Sequence, residues 1–252
     1  MKLRIPSVLL LAPAVGLALL LFAGSASAQL PEKFTNLKVL PKNISREQLI
    51  TVMRGFSTGL GVRCEHCHAE DQSVKPPKTD FASDVKKEKK IARGMMKMAS
   101  QINSSLLPKT GVQSPPEVKC VTCHHGMPEP RTLADALESS IAKGGVPAAQ
   151  VTYKDLREKY YGSGAYDFRP STLATVADWV AHERKDPDGA IVLLQFSIGI
   201  DPNAADTYAA LGRLQAEKGD KEGAVASYKK ALELEPDNPR VQHELEQLQS
   251  GK

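Results

Sequence analysis

The sequence predicts a mainly α fold in two parts. The first is a loop-rich domain built twice from a helix, a loop and C-x-x-C-H, and the second is a short module of helical hairpins. Three observations predict it. Apolar residues recur at helical rather than alternating spacing. The run C-x-x-C-H occurs as Cys64-Glu65-His66-Cys67-His68 and as Cys120-Val121-Thr122-Cys123-His124, and these runs use all four cysteines. Downstream, Gly189 and Gly223, Ala190 and Ala224, and Pro202 and Pro236 each keep an offset of 34 residues, the mark of an internal repeat.

The N-terminus has the form of an export signal. Lys2 and Arg4 precede an apolar run from Val8 to Phe22, and Ala26-Ser27-Ala28 is a small-x-small cleavage site before Gln29. The apolar run is short for a membrane span, which needs about 20 residues. Cleavage after Ala28 and a periplasmic location are expected. No cysteine stands at the junction, so no lipid anchor is expected there, and contact with the inner membrane would be peripheral at most.

The formal charge is +4, and loss of Lys2 and Arg4 brings it to +2. Nothing in this balance argues for a nucleic-acid partner. Aromatic residues make up only 5% of the chain, with Trp179 the single tryptophan. Such a chain needs another source of apolar core in its first domain.

Residues 29–42 read as an extended arm with Pro31 and Pro41. A first helix is expected from about Ser45 to Thr58. Ser45 and Gln48 have the spacing of a capping box, and Leu49, Val52, Met53 and Phe56 make one apolar face. Asp71 to Asp80 is a polar loop. A second helix is expected from about Ser83 to Asn103, with the charged block Lys86 to Lys90 outside and Ile91, Met95, Met98 and Ile102 inside. A proline-rich loop then leads to the second C-x-x-C-H. This first domain is bounded at residues 43–130.

Residues 131–169 read as a connector. One helix is expected from Arg131 to Lys143, ending at Gly144-Gly145, and a second from Tyr153 to Tyr160. Residues 170–252 hold the repeats. In the second copy, Tyr208, Leu211, Gly212, Ala224, Tyr228, Ala231 and Pro236 resemble the tetratricopeptide consensus. Small residues there let two helices approach, and proline ends the second. The first copy, with Ala174, Ala177, Ala190, Leu194, Ser197 and Pro202, is degenerate. A last helix, Pro239 to Gln249, looks like a cap. Two repeats are fewer than about three needed for independent stability, so the module is expected to lean on its neighbours.

C-x-x-C-H is the attachment signature of c-type haem. The two thiols add to the vinyl groups, and the adjacent histidine can ligate iron. Cys64 and Cys67 would hold one haem with His68 as ligand, and Cys120 and Cys123 a second with His124. Zinc would require ligands merged across both motifs, and a thioredoxin-like site would require a βαβ context that is absent here. For the sixth position, Met53 precedes the first motif, and Met95, Met96 and Met98 precede the second. A thioether suits iron and raises the potential, while methionines at helical spacing also serve as core filler. His66 should point away from the iron. His125, Arg63 and Arg93 are candidates for haem propionates.

The segment from about Pro41 to Pro130 resembles half of the cytochrome c subunit of photosynthetic reaction centres. The likeness rests on Val52-Met53 before Cys64, on Ala92-Arg93-Gly94-Met95 and Asn103 before Cys120, and on Cys120 to Gly126 with Pro128. It implies Met53 as the sixth ligand of the first haem and Met95 of the second. It departs from the family pattern in having two motifs rather than four and in carrying a repeat module.

The expected role is electron transfer by two covalently bound c-type haems, with periplasmic or membrane redox proteins as partners and the repeats as a further protein-docking surface. Two rival readings are a dihaem peroxidase-like enzyme, which needs an open iron position and distal acid/base groups, and a repeat scaffold with structural haems.

Overall fold

The computed structural model describes residues 33–250. The signal sequence expected at 1–28 and the first residues of the arm lie outside that range. Among the described residues, no helix is long and apolar enough to cross a membrane. Ten helices and one small sheet are described, so the mainly α class holds.

Helix α1 spans Arg46–Leu60 and starts as its sequence requires. Ser45 Oγ accepts the Gln48 N–H at 3.2 Å, and the Gln48 side chain accepts the Ser45 N–H at 3.1 Å. Gly61, with φ +64°, ends it in the left-handed region. The first C-x-x-C-H follows as the single turn α2, Cys64–Cys67. The polar loop after it is more ordered than expected. Strand β1 (Ala69–Asp71) pairs antiparallel with β2 (Lys78–Asp80), Glu70 opposite Thr79.

Helix α3 spans Lys87–Gln101 and begins four residues later than expected. Ser83 and Asp84 are drawn out of it. The Ser83 carbonyl accepts Lys89, and the Asp84 carboxylate gathers Lys38, Lys89 and Arg93. The charged block is therefore not uniformly outside: Lys89 is buried at 9% exposure. Nor is the apolar stripe uniformly inside. Met95 and Ile102 are half-buried, while Ile91 and Met98 are 59% and 46% exposed. A π-helical turn (Ile102–Leu106) and a 3-10 turn (Leu107–Thr110) extend the helix. Asn103 then pins the proline-rich loop, giving its Nδ2–H to the Val118 carbonyl at 2.9 Å and accepting the Val118 N–H at 2.8 Å. The second C-x-x-C-H forms the short helix α4, Cys120–His124.

The stretch 131–169 is more than a connector. Helix α5, Leu133–Tyr160, is broken at Gly144 and Gly145, the latter at φ +70°. Its two limbs fold back on each other, with Ser140 Oγ 2.8 Å from Thr152 Oγ1. The second limb starts at Val146, seven residues before the expected Tyr153, because Pro147 fits a first helical turn. Both limbs enter one core: Leu133, Leu137, Ile141, Val146, Ala149 and Tyr153 pack with Leu173, Val176, Leu193 and Leu194.

The repeats follow as α6 (Pro170–His182), α7 (Pro187–Ile200), α8 (Ala205–Glu217) and α9 (Lys221–Leu234), closed by α10 (Pro239–Ser250). The 34-residue period has a structural cause. Asp186 caps α7 by accepting the Gly189 N–H at 2.8 Å, and Asp220 caps α9 by accepting the Gly223 N–H at 3.0 Å. In both copies a Cβ on the glycine would collide with the capping carboxylate. Ala190 and Ala224, one residue on, are fully buried. At Gly212 a Cβ would lie 2.8 Å from the Tyr228 ring, so α8 and α9 meet only because it has none. The module expected to lean on its neighbours does so through the broken helix α5.

Candidate haem centres

The first domain has almost no apolar core of its own. Among described residues 33–130, the buried hydrophobic side chains are Leu49 and Met127 alone. Val85, Ile91, Met98 and Val121 are well exposed, and Val52, Met53, Phe56, Met95 and Met96 are half-buried. Apolar faces on α1 and α3 thus border the two cysteine motifs without closing over them.

All four cysteines are unpaired thiols. Burial pushes the Cys67 and Cys120 thiols upward. Among the described residues no cluster of three or more His, Cys, Asp or Glu is placed to hold a metal ion by itself.

His124 sits at the end of α4 and is buried at 7% exposure. Its Nδ1 bonds the Met127 carbonyl oxygen at 2.8 Å. The carbonyl can only accept, so Nδ1 carries the proton and Nε2 is the nitrogen with a free lone pair. A backbone partner of this kind orients a metal-ligating imidazole and fixes its tautomer.

His68 is positioned differently. Its ring packs edge-on against Phe81, with centroids 5.1 Å apart, and its Nδ1 is buried without a hydrogen-bond partner. Burial lowers its proton affinity first, then the cations Lys89 and Arg93, against a smaller opposing effect of Asp80. Lys86 reaches the motif itself, donating to the Glu65 carbonyl at 2.5 Å.

Two glycines lock α1 to the second motif. Gly126 donates its N–H to the Gly59 carbonyl at 2.9 Å. A Cβ on Gly59 would lie 3.0 Å from Cys120 Cβ, and one on Gly61 would overlap the Gly126 carbonyl. The helix that carries Met53 therefore also supports the second cysteine turn. On its other side this motif faces a cleft of about 730 Å³ shared with the repeats, lined by Cys123, His125, Met127, Arg131 and Tyr166 among others.

The remaining candidates separate. Arg93 is engaged with Asp84 at 2.7 Å and the Asn36 carbonyl at 3.1 Å, which ties it to the protein rather than to a propionate. Arg63 is 89% exposed and stands 3.4 Å from Glu65. His125 is exposed, in the left-handed region at φ +50°. The Met127 carbonyl and Lys89 were not singled out by the sequence. A carbonyl leaves no trace in residue identity, and Lys89 is hidden inside a run of lysines.

Residues 23–155, more than half of the chain, match the family model described as photosynthetic reaction centre cytochrome C subunit. The chain belongs to that family. A second model, tetratricopeptide repeat, matches residues 181–248. Cytochrome c-554 of Chloroflexus aurantiacus is 31% identical over 107 residues, 42% of this chain and 24% of that protein. The matched region thus spans about a quarter of that relative's length. Among solved structures, the first tetratricopeptide domain of Spaghetti bound to an HSP90 peptide is 18% identical with a TM-score of 0.33, covering 47% of this chain and 89% of that one. MamA is 18% identical with a TM-score of 0.34, covering 47% of this chain and 66% of that one.

Membership in the reaction-centre cytochrome family places this chain among the c-type cytochromes, a group whose haem is covalently bound. The residues fit the group. The thiols are free, the His124 tautomer presents Nε2, and the uncovered apolar faces are of the kind a porphyrin covers.

Proposed function

We propose that the chain is a periplasmic carrier holding two covalent c-type haems, which passes electrons between redox proteins and has no substrate of its own. Bound haem supplies a one-electron iron couple whose potential the protein sets. Cys64 and Cys67 tether one haem and Cys120 and Cys123 the other. His68 and Met53 would hold the iron of the first haem, and His124 and Met95 that of the second. A histidine and a methionine for each iron would favour electron transfer over peroxidase-like chemistry, which needs an open position.

The observation that carries this reading is the His124 ring, held through Nδ1 by the Met127 carbonyl with Nε2 presented at the end of a C-x-x-C-H turn. The chain's own work is mechanical and electrostatic. The cysteine turns keep the haems from dissociating, the Gly59–Gly126 contact holds the motifs in one body, and the hydrogen-bonded imidazole is a more basic ligand. The periplasmic location rests on the export pattern at residues 1–28. The repeats serve as a docking surface for a protein partner.

The test is haem counting on the purified protein, with oxidised and reduced visible spectra. Two haems per chain should resist acid–acetone extraction, and the oxidised spectrum should carry the weak far-red band of iron–methionine bonding. Extractable haem, or a count other than two, refutes the reading.

A further inference from the structure

Behind His68 lies a charge cluster that the reading above does not use. Lys89 is buried at 9% exposure, which is rare for lysine unless it is paired. Its Nζ donates to the carbonyls of Phe81, Ala82 and Ser83 at 2.9, 3.1 and 2.7 Å and stands 3.4 Å from Asp84 Oδ1. Arg93, one turn further along α3, donates to Asp84 Oδ1 at 2.7 Å. Lys38 closes the group on Asp84 Oδ2 at 2.5 Å. One carboxylate therefore faces three cations. Of the other nearby carboxylates, Asp80 has one oxygen occupied by the N–H groups of Ala82 and Ser83, each at 2.9 Å, and Glu88 acts on the Cys67 thiol against Lys86 and Lys89.

The cluster is coupled to His68 through Phe81. The Phe81 carbonyl holds the Lys89 ammonium, and the Phe81 ring packs on the His68 ring. The second site has no such arrangement. His124 is held by the uncharged Met127 carbonyl. The ion pair recorded beside its motif, Lys119 with Glu117 at 3.5 Å, is exposed on both sides and balanced in charge.

We propose that Lys89 and Arg93 are positioning residues that raise the potential of the haem held by His68 above that of the haem held by His124. Reduction adds one negative charge to an iron centre. Fixed cations in a partly desolvated position favour that state, and here they stand on one side of the pair only. Within the protein the electron then settles on the first haem. This rests on the two-haem reading above.

The experiment is a spectroelectrochemical titration of the holoprotein. Wild type should give two one-electron waves. The upper wave should be the one missing from a Cys64→Ser/Cys67→Ser variant. Lys89→Met and Arg93→Gln should each lower the upper wave by about tenfold in its one-electron equilibrium constant, about 59 mV, and leave the lower wave in place. Arg93→Lys should retain most of the wild-type value, since it keeps the charge. The proposal is overturned if the upper wave belongs to the second haem, a result that needs neither charge variant to fold. It is equally overturned if both waves move together or neither moves while two haems stay bound. A count other than two haems would instead remove the reading beneath it.

Discussion

Gly126 gives its backbone N–H to the Gly59 carbonyl at 2.9 Å, so the residue two places after His124 hangs from the end of the first helix. A Cβ on Gly61 would overlap the Gly126 carbonyl, and one on Gly59 would press on Cys120 Cβ at 3.0 Å. The two C-x-x-C-H motifs, 56 positions apart in the chain, therefore belong to one packed unit.

Gly61→Ala tests that unit. The site combines φ +64° with a direct overlap on the Gly126 carbonyl. A loss of about 1–3 kcal/mol is expected from backbone strain and displacement, read as a lower thermal midpoint with a disturbed spectrum of the second haem. Gly199→Ala is the control. Its Cβ meets nothing within 4 Å on α7, so a gain of about 0.5–1 kcal/mol is expected.

The axial ligands separate by substitution. Met53→His should lower the potential of the first haem and Met95→His that of the second, since imidazole is a harder donor than thioether. Met98→Leu should change stability by less than about 1.5 kcal/mol and leave the iron–methionine band intact. Loss of that band in Met98→Leu but not in Met95→Leu would move the assignment by one turn of α3.

Acid should loosen the first site through Asp84. Its hydrogen bond from Lys38, and then that from Arg93, holds its carboxyl well below the usual carboxylate range. The folded value is depressed, so the stabilisation is complete above the unfolded value of about 3.9. It is lost as pH falls from there through the folded value. An Asp84→Asn variant should be less stable than wild type at neutral pH, and the gap should narrow below about pH 4. Thermal midpoints measured across that range decide it; a gap that stays constant would mean the charge of Asp84 is not what matters.

Truncation should respect the core rather than the glycine break. A chain ending at Pro130 should keep both haems and their spectrum. One ending at Gly145 retains Leu133, Leu137 and Ile141 without their partners from α6 and α7 and should aggregate. Sedimentation and haem content of the two chains check this directly.

Much of this was legible in the residues. The Ser45–Gln48 capping box, the break at Gly144-Gly145 and the 34-residue period each have a local cause that sequence carries. What stayed hidden depends on partners remote in the chain. Lys89 reads as one more solvated lysine until the Phe81–Ser83 carbonyls fold over it. The paired strands at 69–71 and 78–80 are three residues each, mostly exposed and mostly polar, and so show no apolar alternation. Residues 146–152 fall between the two helices expected for the connector, although proline in a first turn starts a helix. The cysteines and histidines of the two C-x-x-C-H runs stood out at once because the signature has a fixed spacing. The groups that orient them are carbonyls and glycines, whose identity says little.

The broken helix α5 settles how this architecture can grow. Its two limbs supply the first helical pair of the stack, on the side of the cysteine turns, and α10 closes the far end with a mostly polar surface. A solenoid bounded in this way lengthens only by inserting pairs between those ends. Each insertion would carry the far surface outward by one step and rotate it about the stack axis, while the contacts of the first pair stay unchanged. The far surface can then move by whole repeats, as a ruler gains divisions, without any change at the end that carries the cysteine turns.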